Sequence, residues 1–127
     1  MKETLISFET AKLAKEKGFL EPCFHYFTLN GDEKYFREDG MYFLSIGANG
    51  RIILRPTQSL LQKWLRENHS IFVDIKTDTS VNEILGFEVR LKSWKFPPIY
   101  LDFFKDYEEA LEAGLYESLK QAIESPK

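Results

Sequence analysis

Cys23 and His25 stand two positions apart in an extended stretch, which puts a soft ligand and an imidazole on one strand face, with His69 far along the chain. Those residue types could serve a zinc centre or a thiolate–imidazolium pair. A zinc centre needs three or four ligands in a dense cluster. One cysteine and two histidines without paired spacing do not supply it. A nucleophilic cysteine needs a helix N-terminus, a sharp elbow or a cationic neighbour to lower its pKa. Nothing around Cys23 provides one, and no G-x-S-x-G motif is present. The plainer expectation is that Cys23 is a small buried hydrophobe and His25 a half-buried strand residue.

Carboxylates are plentiful but have structural roles to fill. Glu108, Glu109 and Glu112 fall in the first turns of a helix, where negative charge complements the dipole. Asp74 and Glu88 read as cross-strand partners of Arg90 and Lys76. Gly47-Ala48-Asn49-Gly50 resembles a phosphate loop but lacks the helix that must follow it, and neither nucleotide-binding glycine motif occurs. The expectation is a protein that is not an enzyme and that uses no metal and no cofactor.

Two segments suggest binding instead. Arg90-Leu-Lys92-Ser-Trp94-Lys95-Phe96 interleaves cations with aromatics. The order of elements from Thr57 onward also matches a double-stranded RNA-binding domain, which grips phosphate with lysines at the start of its last helix. Here that region reads KDYEEALEAG, and Asp106, Glu108, Glu109 and Glu112 would repel a polyanion. Nucleic acid is thereby disfavoured and kept as the alternative, through the strand around residues 90–96. The other segment holds eight aromatics between Phe19 and Phe43. A strand with large groups on both faces leaves one of them for a partner. The expected contact residues are Phe24, Tyr26, Tyr42, Arg90, Lys92 and Trp94, and the expected partner is a protein or a second copy of the chain.

Composition sets the frame for these readings. The chain has 127 residues, the size of one ordinary domain, taken as a single unit over 1–127. Its aromatic content of 15% is too high for a disordered protein. One cysteine excludes an internal disulfide, and the N-terminus has neither an unbroken apolar run nor a small-residue cleavage site. No run of 18 apolar residues occurs, so no membrane span is expected, and a cytoplasmic setting follows. The net charge of −3 is uneven, at −2 over residues 1–50, +3 over 51–95 and −4 over 96–127.

The elements that must position these groups are marked by caps and periodicity. A helix is predicted over Phe8–Lys17, with Ser7 as N-cap and Gly18 as its stop. Strands are predicted at Cys23–Leu29, Met41–Ile46 and Arg51–Leu54, with a charged loop over Asp32–Asp39. Thr57 caps a helix ending near Asn68, with Leu60, Leu61, Trp64 and Leu65 on one stripe. Two alternating strands follow, through Ile71–Lys76 and Leu85–Lys92, joined by a hairpin over Asp78–Glu83. Pro97-Pro98 is expected to break regular structure before an edge strand at Ile99–Phe104. The last helix, Tyr107–Glu124, carries Asp106 and Glu109 as a capping pair and Leu111, Leu115 and Leu119 as its buried row. Gly114 inside it costs about 1 kcal/mol relative to alanine, which signals close approach to a sheet. The whole reads as α+β, an antiparallel sheet of about four to six strands with three helices packed mainly on one face.

The segments ISFETAKLAKEKGF (Ile6 to Phe19), PTQSLLQKWLRENHSIFV (Pro56 to Val73) and DYEEALEAGLYESLKQAI (Asp106 to Ile123) together resemble a group of short uncharacterised proteins encoded by phages, prophages and mobile elements of gut bacteria. The resemblance implies a small intracellular protein of phage origin. It carries no site residue, and the aromatic-rich strands lie outside it.

Overall fold

Ser7 ends an extended N-terminal segment and opens helix α1, Phe8–Glu16, by accepting the Thr10 amide on its hydroxyl. The helix stops at Lys17, and Gly18 takes a φ of +94°, the left-handed conformation that glycine adopts without a Cβ clash. Both caps are the ones expected. The structure, a computed structural model, describes residues 4–35, 52–79 and 84–122.

Strand β1, His25–Thr28, turns at Gly31 into strand β2, Glu33–Tyr35, and pairs on its other edge with strand β3, Ile52–Arg55. All three β2 residues are exposed, so no burial alternation marks the strand in the sequence, and the expected loop over Asp32–Asp39 is corrected in its first part. Backbone pairing with β1 makes it a strand. The strand predicted at Met41–Ile46 lies outside the described residues.

Helix α2, Gln58–His69, starts at Thr57, whose hydroxyl accepts the Leu60 amide. It buries Leu61, Trp64 and Leu65 and ends at Ser70, whose φ of 55° is left-handed. Strand β4, Phe72–Thr79, follows at once, then β5, Ile84–Ser93, and β6, Phe96–Phe104. β6 runs through Pro97-Pro98 where a break was expected. As an edge strand it needs no outward amide there, and the pairing shifts register between Leu91 and Ser93 to accommodate the change.

The described strands form two three-stranded antiparallel sheets, in the orders β2-β1-β3 and β4-β5-β6, and not one sheet. Alternation in a sequence reveals that a strand has a buried face, but not which sheet it joins. The helices are correspondingly divided. Helix α3, Tyr107–Gln121, covers β4, β5 and β6, whereas α1 packs on β3, and both α1 and α2 pack on α3. The expectation of three helices on one sheet face is corrected to this arrangement.

Helix α3 is capped by Asp106, whose carboxylate accepts the Glu109 amide at 2.7 Å. Leu111, Leu115 and Leu119 are buried as predicted. At Gly114 the helix lies close against the sheet. A Cβ there would lie 2.8 Å from Cγ1 of both Val73 and Val89.

Glu112 does something its exposed-looking sequence context hides. One of its carboxylate oxygens accepts the Ser7 amide at 3.0 Å and the Thr10 hydroxyl at 2.5 Å. The other accepts the Gln58 side-chain amide at 3.1 Å, and the same amide nitrogen donates to the Glu108 carbonyl at 2.9 Å. One carboxylate thus ties the first turns of α1 and α2 to α3. The expected role, a solvated charge complementing the dipole of its own helix, is replaced by a structural one.

Leu115→Asp buries an unpaired carboxylate and costs more than about 4 kcal/mol, so a thermal melt should show no folded baseline. Gly114→Ala gains helix propensity but forces two stiff valines apart, so its urea midpoint should drop by the equivalent of about 1 kcal/mol. A raised midpoint would refute the close approach. Glu112→Gln places an amide donor against donors already present and should cost about 1.5–3 kcal/mol in the same measurement.

Candidate interaction surface

Alternation along β5 sends Val89 and Leu91 into the core and Glu88, Arg90 and Lys92 to the opposite face. Strand register then sets the neighbours. Lys92 lies opposite Phe72, and Arg90 lies between Asp74 of β4 and Tyr100 of β6. The β5–β6 turn adds Trp94 and Lys95. Across this outer face Phe72 is 46% exposed, Tyr100 58% and Trp94 82%.

The Tyr100 and Trp94 rings each have a cation over them. The Arg90 guanidinium stands 5.4 Å from the Tyr100 ring centre, and the Lys95 ammonium 5.6 Å from that of Trp94. The Lys92 ammonium is 3.3 Å from Asp74, and Arg90 is 3.9 Å from Glu88. The register pairs Asp74 with Arg90 and Lys76 with Glu88, as the sequence led us to expect. The ion pairs themselves run to diagonal and same-strand neighbours, which long side chains reach as easily as the residue opposite. Exposed pairs of this kind add roughly 0–1 kcal/mol. Stability does not explain the face.

The six expected contact residues separate into two groups. Arg90, Lys92 and Trp94 come together on and beside this sheet. Phe24, which is 60% exposed, precedes β1, and the half-buried Tyr26 lies within β1 in the other sheet. Tyr42 lies outside the described residues. The N-terminal aromatics are also divided between core and surface. Phe27 meets Phe8 edge-on at 5.1 Å, and Phe19 meets Trp64 at 5.3 Å, so both serve the core.

Phe72 and Tyr100 belong to the surface but were not among the expected contacts. Their signal was present in the phase of the alternation: if Val73 and Ile75 face the core, Phe72 faces away from it. Tyr100 is harder to place, because the register shifts in β6 disturb its phase.

The cysteine and histidines do not assemble. Cys23 is buried, and its thiol, donating to the His25 carbonyl at 3.5 Å, is pushed up to about 11 by burial, so it is protonated at neutral pH. His69 is buried at the end of α2 with its ring 4.8 Å from that of Trp64. Among the described residues, no group of three or more His, Cys, Asp or Glu side chains is placed to hold a metal.

Compared with known proteins, the chain matches no family model, no curated protein and no solved structure.

Burial first, and then the charges of Lys95 and Lys17, hold the His69 pKa below its usual 6.5. As pH falls, the unfolded chain therefore takes up the proton before the folded one. The stability that neutral His69 allows is complete above its unfolded pKa and is lost as pH falls toward the lower folded value. The urea midpoint should decrease from about pH 7.5 to about pH 5.5, and His69→Phe should flatten that decrease. An unchanged slope in the variant would assign the effect to other groups.

Proposed function

We propose that this chain is a non-enzymatic interaction protein, an adaptor or accessory module, and that its contact surface is the outer face of the β4-β5-β6 sheet. The observation that carries the reading is the exposure of Phe72, Tyr100 and Trp94 beside Arg90 and Lys92 on one face. Aromatic side chains bring about 150–250 Å² each to an interface and are the residues most enriched in binding hot spots, together with arginine. Among the described residues α3 packs on the opposite face, which supports this side as the one offered to a partner.

The resemblance of the three segments to phage and mobile-element proteins is the ground for reading the module as phage-derived, and the identity of its neighbouring genes tests that reading. No helix among the described residues is long and apolar enough to cross a membrane.

Trp94→Ala with Tyr100→Ala is the direct test, because both side chains project from the fold and their loss should leave the melting temperature within a few degrees. Association of the full chain, read by light scattering and by capture of partners, should weaken at least about 10-fold in the double variant. Equal association by parent and variant would move the contact surface elsewhere.

A further inference from the structure

We infer that the occupant of this face is a second copy of the chain, packed face to face about a two-fold axis, an inference that rests on the reading of the outer sheet face as the contact surface. Net charge selects no partner here. Among the described residues, strands β4, β5 and β6 with the β5–β6 turn hold Lys76, Arg90, Lys92 and Lys95 against Asp74, Asp78, Glu88 and Asp102. Lys92 and Arg90 already meet Asp74 and Glu88 in ion pairs. The pattern of the charges is what selects. The register sets Asp74 opposite Arg90 and Lys76 opposite Glu88. Asp74 and Lys76 are also neighbours along the outward side of β4, as Glu88 and Arg90 are along β5. These four residues form a square in which every side joins opposite signs.

Such a square is its own complement. A two-fold axis in the plane of the face, crossing the strands at the level of Ile75 and Val89, lays Asp74 over the partner's Lys76 and Arg90 over the partner's Glu88. Symmetry repeats both contacts in reverse. An isologous interface requires a self-complementary patch of this kind. A diagonal axis, which crosses the sheets at right angles, sets like charges over like. An axis along the strands between β4 and β5 also opposes unlike charges, but it leaves each β6 beyond the edge of the other sheet. The crossing axis covers all three strands and keeps the sheets aligned, as packed sheet faces favour. Phe72 and Tyr100 border the square and supply apolar area, while the charges fix the register and reject other partners. A polyanion would meet Asp74 and Glu88 as like charges.

The experiment is sedimentation velocity on the full chain from about 1 to about 300 µM, since a three-stranded face buries a small area and a micromolar Kd is expected. The parent should rise from the mass of one chain toward that of two, and about 1 M salt should reverse the rise. Asp74→Lys with Glu88→Lys makes the square wholly cationic, and Lys76→Glu with Arg90→Glu makes it wholly acidic. Each double charge variant alone should associate at least about 10-fold more weakly, and their equimolar mixture should pair at least as tightly as the parent. Asp74→Lys and Lys76→Glu, single changes at exposed positions, repeat the test if a double charge variant melts more than a few degrees early. A parent that stays one chain throughout, charge variants that pair as the parent does, or a mixture that fails to pair overturns the inference. If the parent stays one chain but binds a different protein through Trp94 and Tyr100, the inference fails and the contact surface stands. If the double aromatic variant alters no association of any kind, both fail.

Discussion

The approach of α3 to the β4-β5-β6 sheet at Gly114 is the contact on which the rest of the structure depends. With no Cβ in the way, the helix settles against Val73 and Val89 and brings Leu111, Leu115 and Leu119 into the core. That contact decides which side of the sheet is covered. Because strand side chains alternate, covering the valine side leaves Phe72, Arg90, Lys92 and Tyr100 on the open side. The candidate surface is a consequence of where one glycine sits.

Glu112 lies about 200° around the helix from Gly114, so α3 meets the sheet on one side and the other helices on the opposite side. Its carboxylate accepts the Ser7 backbone amide and the Thr10 hydroxyl at the start of α1 and the Gln58 side-chain amide at the start of α2. The same location suits a negative charge electrostatically, since helix starts carry the positive end of the dipole. A single acidic residue thereby sets the relative placement of three helices. Two buried side-chain atoms lack such partners among the described residues, Arg90 Nε and Ser118 Oγ. The first belongs to the guanidinium that stands over the Tyr100 ring on the outer face.

Helix ends were the most legible part of the sequence. Ser7, Thr57 and Asp106 each cap the helix they were expected to cap, because capping is a local bond between residues three apart. Gly114 was legible for a similar reason: a glycine costs helix stability wherever it stands, so its presence implied a close neighbour. The β2 strand and the course of β6 through two prolines were not legible. Both are set by which strand lies alongside, and pairing partners distant in sequence leave no local mark. The candidate surface was half visible. Arg90, Lys92 and Trp94 stand out as a cluster in the sequence, while Tyr100 joins them only through the β5–β6 register.

By itself the sequence determined the helices with their starts, the alternating strands β4 and β5, and the buried rows of the two later helices, since each follows from local bonds or from a period of 3.6 or 2. Tertiary structure alone decided that the strands divide into two sheets and that a half-buried glutamate joins three helices. It also decided that aromatics from β4 and β6 share one face with the cations of β5. Those outcomes depend on contacts between residues tens of positions apart, whose partners are chosen by the packing of whole elements and not by any short stretch of chain.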